Sequence, residues 1–538
     1  MKKLQSFLAA LIILLSLFSG VGCSEADGGY QIDPNKTQIY VHVTNGGYGY
    51  SWLEQAAEDW GKEPGNEKYE IIPVPSIEED VTKIKSNYES GAAEDIYFMS
   101  HSGIQQLISA GIVADLNDLV QQKPDGGKTV EELLKYPDTV RGAFSDEEGN
   151  LYAIPYGDSF LGLVFDFDLF YDAGWLITDG MGNLSAGKDG KPGTYDDGQP
   201  VNIAEWETML NKIKNSGNAY PFIYTTKYIG YLDQIIYALV AQYAGLEDYN
   251  TFIDYEGSYK DTNGQTVTVP LSEGYKVYEM PAFEKAAAFL HDYLFLDQSM
   301  VYPSSWDTTE FTHRDAQNKF IIGYKQTSDV PLGAMLAEGI WWENEARSMF
   351  NSLEDRGDDK HAYGQVDYRY MLFPDMEGQV GANGDGTGSV FSAMDAGAAF
   401  VLKSDDAEKQ AKAEDFLLYT CKEKYLKLFT QSSGAVRPYY YELSEQELAE
   451  MTPFQRNVWA IYSDTENVTI IRPAMERFST RINYATSKMD DRFYGKFSTA
   501  GYGISKAFSL HYSTSEYLQA VKAYNQGEWT TFMEELER

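Results

Sequence analysis

Gln38-Ile39-Tyr40-Val41-His42-Val43, then Asn45-Gly46-Gly47-Tyr48-Gly49-Tyr50, then Ser51-Trp52-Leu53, is the stretch that decides the fold. The first run is β-branched and aromatic and predicts a strand. The glycines break it. Ser51 then stands as a plausible N-cap for a helix that carries Trp52, Leu53, Ala56, Ala57 and Trp60 on one face. The same succession returns twice. Tyr69-Glu70-Ile71-Ile72-Pro73-Val74 precedes a helix over about 77–89, and Asp95-Ile96-Tyr97-Phe98-Met99 precedes one over about 103–111. Alternating β and α segments predict an α/β protein with a mainly parallel sheet covered by helices, and ligands at the carboxyl ends of the strands.

A second block opens near Gly162-Leu163-Val164-Phe165-Asp166. It holds a Gly-rich insertion at 178–200, helices near 203–214, 230–245 and 282–294, and a strand-like Met371-Leu372-Phe373. No repeat of 20–50 residues is visible, which argues against a solenoid or propeller. With 538 residues the chain is long enough for two or more lobes rather than one.

Before the first strand, Met1-Lys2-Lys3 is basic and Leu8 to Phe18 is apolar except for Ser16, too short to span a bilayer comfortably. Small residues lead to Cys23, and the chain then turns polar. This resembles a bacterial lipoprotein signal over 1–22, with Cys23 lipidated and 23–37 a flexible tether. Gly20 stands where such signals usually carry Leu, and ordinary secretory cleavage with an unmodified Cys23 is the alternative. The only other cysteine is Cys421, read as a buried thiol in a helix over about 406–421, so lipidation of Cys23 leaves no intramolecular disulfide. The 81 acidic against 43 basic residues give a net charge of −38, which argues against nucleic acid and against peripheral binding to an anionic membrane.

Five segments in order resemble family 1 extracellular solute-binding proteins, the carbohydrate-binding group that includes the maltose-binding proteins. They are Asn45 to Gly49, Ala153-Ile154-Pro155-Tyr156-Gly157, Asp166-Phe167-Asp168-Leu169-Phe170, Gly333 to Glu345, and Ala396 to Val401 with the helix after it. The resemblance implies a two-lobed periplasmic-binding-protein-like fold of type II, with a central cleft between lobes joined by hinge crossings near Ser159 and Pro374. By that analogy lobe 1 takes 38–159 plus 376–432, and lobe 2 takes 160–375 plus 433–538. It also implies a sugar or oligosaccharide ligand, an ABC permease as partner, attachment to the outer face of the cell membrane only through the lipid, and a monomer.

Candidate ligand residues follow from the strand-end rule. Tyr48 and Tyr50 sit in a Gly loop at a strand's carboxyl end, where glycine lets a ligand approach; an ordinary tight turn is the other reading. Ser100 and His101 follow the third strand and carry groups that hydrogen-bond sugar hydroxyls. Tyr156 is implied by the resemblance to face the cleft, and Asp158 either accepts bonds from vicinal hydroxyls or caps a turn. Trp341 and Trp342 alternate if extended, one into the core and one into the cleft, where the family places an aromatic platform. Glu343 accepts hydroxyl bonds or joins an ion pair. Asp179, Asp189, Asp196 and Asp197, set among glycines, offer oxygens to a structural calcium; Asp-Gly turns explain the same composition. No cofactor is otherwise expected.

The rival class is a secreted glycoside hydrolase, which needs two carboxylates about 5–5.5 Å or 6.5–9.5 Å apart. Nucleophile-elbow, HExxH and P-loop motifs are absent.

Overall fold

A computed structural model of the chain describes residues 32–536 apart from 78–79, 101–102, 147, 218, 229, 308, 326–330, 394–395 and 474–503. The signal segment, Cys23, most of the tether and His101 therefore lie outside the described residues. In chain order the strands are β1 (Thr37–Thr44), β2 (Tyr69–Ser76), β3 (Ile96–Ser100), β4 (Ile154–Asp158), β5 (Leu161–Asp166), β6 (Ala219–Ile223) and β7 (Gly257–Lys260). They continue with β8 (Thr266–Val269), β9 (Leu332–Gly339), β10 (Tyr368–Met371), β11 (Ser389–Ser392), β12 (Ala396–Val401) and β13 (Val468–Ile471).

Two sheets organise the molecule. The first runs β2-β1-β3-β12-β4, and the second β13-β11-β5-β9-β6 with β10 on β5. In the first, β1 is parallel to both β2 and β3, as the strand-loop-helix succession requires, while β12 runs antiparallel to β3 and β4. The second departs from the parallel expectation. Its central strand β5 pairs antiparallel with β9, β10 and β11, because the chain enters it directly from the first sheet rather than through a helical crossover. β7 and β8 form a separate hairpin.

The helix Ser51–Trp60 buries the five residues whose spacing predicts it. Its N-cap is Tyr50 rather than Ser51, and no side chain closes it. The helices Ile203–Asn215, Pro281–Leu290 and Ala407–Tyr419 lie close to their predicted spans. Cys421 is buried just beyond the last of these, and burial pushes its thiol up, the state of an inert cysteine.

The crossings divide differently from the analogy at two points. The passage from β4 to β5 falls at residues 159–160, where Ser159 is expected. The return does not fall near Pro374: β11 still pairs with β13 and β5 of the second sheet, and the chain rejoins the first sheet only at β12. Residues 376–392 therefore belong with the second sheet. After the helix Glu423–Ser433 the chain stays with the first lobe, since Val436 bridges to Asp158 and Tyr439 to Leu134. It returns to the second lobe with the helix Pro453–Ser463, whose Asn457 accepts a 2.9 Å bond from the Tyr370 amide on β10.

Candidate ligand cleft

The carboxyl ends of β1 and β9 face one another. Beyond β1, Gly47 and Gly49 take φ of +88° and +70°, conformations that a side chain disfavours. A Cβ on Gly47 would lie 3.0 Å from Trp341 Cβ, so glycine lets the first lobe's loop approach the second lobe's tryptophan. Tyr48 then meets Trp341 edge to face, with ring centroids 6.2 Å apart. Behind Trp341, Tyr231 lies at 6.3 Å, and Tyr231 stacks in turn on His313 at 5.6 Å. Tyr228 completes the row, edge to face with His313 at 5.3 Å. Aromatic planes from both lobes thus line one seam.

Carboxylates stand beside the rings. Gln317 Nε2 donates to Glu338 Oε1 at 3.1 Å and to Glu345 Oε2 at 2.7 Å, and His313 Nε2 lies 3.2 Å from Glu345 Oε1. Burial pushes the Glu338 carboxyl well above its ordinary value, and the neighbouring Glu345 charge adds to the shift. Burial alone would raise Glu345 too, but its bonds and charge pairing with His313 and its bond from Gln317 hold it below the usual range. The two carboxyls beside the rings are thus shifted in opposite directions, and both are held in place by Gln317.

The Trp pair divides between two roles, though not by strand alternation. β9 ends at Gly339, and Trp341 caps the short helix Trp342–Glu345. Trp342 is fully buried among Phe320, Phe350, Tyr368 and Phe454, whereas Trp341 turns to the seam. Tyr48 and Tyr50 are half-buried at the loop, and Ser100, at the end of β3, is half-buried as well.

Three other expected ligand residues lie elsewhere. Tyr156 is 4% exposed and packs edge to face on Phe98 and Phe429 in the first lobe's core. Asp158 neither caps a turn nor stands open to hydroxyls. It is buried and accepts from Arg472 Nε at 3.1 Å, with Arg472 Nη2 closing the pair, because a guanidinium buried here requires a counter-charge. Glu343 is buried, and its Oε2 accepts a 2.6 Å bond from the Thr452 hydroxyl rather than from an ion-pair partner.

The four aspartates do not converge. Asp179 accepts from the amides of Met181 and Asn183, Asp189 from Lys191, Asp196 from Lys188 and Asp189, and Asp197 from Gly193. These are turn-forming bonds made within the loop. Among the described residues no three acidic, histidine or cysteine side chains are placed to hold a metal ion.

Tyr231, His313 and Gln317 escape a reading of single strand ends, because they arrive from helices after β6 and before β9. Glu338 and Glu345 lie within the segment 333–345 already singled out, and a charge at the end of an apolar strand is the signal that marks the first of them.

A two-sheet α/β molecule with an aromatic and carboxylate seam between its lobes defines a binder of small solutes, and the chain belongs to the bacterial extracellular solute-binding protein family, whose model matches residues 55–451. In fold it is similar to a chitin oligosaccharide binding protein, with 15% identity, TM-score 0.56, and coverage of 92% of this chain and 100% of that one. It is similar too to the sugar-binding protein MalE from Xanthomonas citri, at 12% identity and TM-score 0.55, covering 93% and 100% of the two chains. An ABC substrate-binding protein from Listeria monocytogenes in complex with cycloalternan gives 14% identity and TM-score 0.53, covering 91% and 99%. No curated protein matches the chain significantly. Among the described residues no helix is long and apolar enough to cross a membrane.

Proposed function

We propose that this protein captures a sugar or oligosaccharide between its lobes, without altering it, and hands it to the membrane subunits of an ABC importer. The observation that carries the reading is the facing of Tyr48 and Trp341 from opposite lobes beside Glu338 and Glu345. A pyranose presents apolar C–H faces to flat rings and hydroxyls to carboxyl groups, and this seam supplies both. The neighbours in fold named above, whose names speak of sugars, oligosaccharides and cycloalternan, support the same ligand class. Cys23 carries the lipid in this reading and holds a monomer at the outer face of the membrane.

Against the hydrolase stands Gln317, whose amide donates to both carboxyls at once and so already engages the pair that a hydrolase would have to offer its substrate. Calorimetry against a panel of mono- and oligosaccharides, followed by chromatography of the recovered sugar, is the test. Stoichiometric binding with the sugar intact is expected. Turnover, or no heat with any sugar, overturns the reading. Mass spectrometry of the mature chain tests the anchor separately, and an unmodified Cys23 defeats it.

A further inference from the structure

A cavity of about 940 Å³ lies apart from the Trp341 seam and shares no residue with it. Its walls come from both sides of the hinge. Lys135, Tyr136 and Tyr440 belong to stretches joined to the first lobe, and Trp459, Tyr462 and Arg472 to the helix Pro453–Ser463 and the end of β13.

Two polar groups in this wall stand out, one buried and one half-buried. Tyr462 is 5% exposed, and its hydroxyl is buried without a hydrogen-bond partner among the described residues. Lys135 Nζ lies 3.9 Å from the centre of the Tyr462 ring, and among the described residues its ammonium has no carboxylate or other acceptor in contact. Arg472 differs, because its guanidinium is spent on Asp158 and on the Ile470 carbonyl, 2.9 Å away, while stacking on Tyr136. Burial pushes Lys135 down to about 8 although the Asp158 charge works the other way, so it remains largely protonated at neutral pH. The buried Tyr462 hydroxyl without a partner costs stability that an entering anion would restore, and the half-buried ammonium beside it supplies a positive charge to attract one. In a chain of net charge −38, an unpaired cation inside a ring-walled cavity is a selective feature. The exposed Glu423 and Glu442 at the rim, and Asp158 behind Arg472, disfavour a ligand with many charges.

We propose that this cavity is a second binding site, for a monosaccharide bearing one anionic group, the carboxylate of a sugar acid or the phosphate of a sugar phosphate. Lys135 and the Tyr462 hydroxyl hold the anion, and the Trp459 and Tyr440 rings pack on the sugar.

Glucuronate, glucose 6-phosphate and glucose, titrated separately by calorimetry into the full-length protein and into Lys135→Met, Tyr462→Phe and Trp341→Ala, test it. At least one anion is expected to bind wild type and Trp341→Ala alike, to weaken tenfold or more in Lys135→Met, and to weaken severalfold in Tyr462→Phe. The preferred anion shows whether carboxylate or phosphate is the natural group, and glucose should not compete. Silence with both anions overturns the site. So does anion binding that survives Lys135→Met but disappears in Trp341→Ala, which would place it in the seam. Failure of the seam reading is distinguishable, since it appears as loss of neutral oligosaccharide binding by wild type. Should Lys135→Met not fold, the Tyr462→Phe comparison decides alone.

Discussion

At the scale of single residues, the Trp pair separates binding from stability. Replacing Trp341 with Ala removes a ring from the seam and is expected to weaken oligosaccharide affinity about tenfold or more, on the order of 1–2 kcal/mol, with the fold kept. Trp342→Ala empties a site enclosed by four aromatic rings and should cost about 3–5 kcal/mol of stability. Calorimetry and thermal melts on both variants check this, and wild-type affinity in Trp341→Ala would remove the platform. Glu343 supplies a pH signature. Burial pushes its carboxyl up to about 7, against an ordinary value near 4.3 in the unfolded chain. The folded state therefore keeps a proton that the unfolded state has lost, and lowering the pH from 8 to 5.5 stabilises the fold through this group by about 2 kcal/mol. The burden of the buried ionised form is present in full above pH 7. Denaturant melts of Glu343→Gln should lack this increment, and a parallel pH dependence in both proteins would refute the assignment.

At the scale of elements, legibility follows the range of the interactions. The helix Ser51–Trp60 was readable because its period is local, and all five residues of its apolar face are buried. β1 to β3 were readable as apolar runs closed by turn residues. The pairing of β11 with β13 was not, because four-residue strands nearly eighty positions apart carry no local mark of their partner. Nor was the Asp158–Arg472 pair, which spans 314 positions. The Trp pair misled for a different reason: a strand period does not continue past Gly339, where the backbone turns helical. That turn gives a test of how β9 aims its cargo. A Cβ on Gly339 would overlap the six-membered ring of Trp341. Gly339→Ala should therefore displace the platform and weaken sugar binding about tenfold, although Gly339 itself offers no side chain to a ligand. Unchanged affinity in that variant would show that the ring's position is not set by the strand end. Arg472→Met tests the hinge in the same way. It leaves a buried aspartate uncompensated and should cost about 3–5 kcal/mol, read by denaturant unfolding.

At the scale of the whole molecule, the seam must open to admit a sugar. Trp341 is only 9% exposed because Gly47 and Tyr48 of the opposite lobe lie against it, so the lobes must part for a pyranose to enter. The lobes are tied beside this point by Asn344, just beyond Trp341, whose amide donates to the carbonyls of Ser432 and Ser433 at 3.1 and 2.9 Å, at the end of a helix of the first lobe. A sugar that touches both lobes favours the approached arrangement by its differential affinity for it, and the Asn344 bonds are made in that arrangement. Saturating oligosaccharide is therefore expected to lower the radius of gyration in solution scattering. Asn344→Ala removes about 1 kcal/mol from the closed form, so affinity should fall severalfold, chiefly through faster dissociation, while the ligand-free scattering profile stays as in wild type. Identical free and bound profiles in wild type would rule out hinged closure. Wild-type dissociation rates in Asn344→Ala would leave closure standing but show that the Asn344 bonds do not hold it.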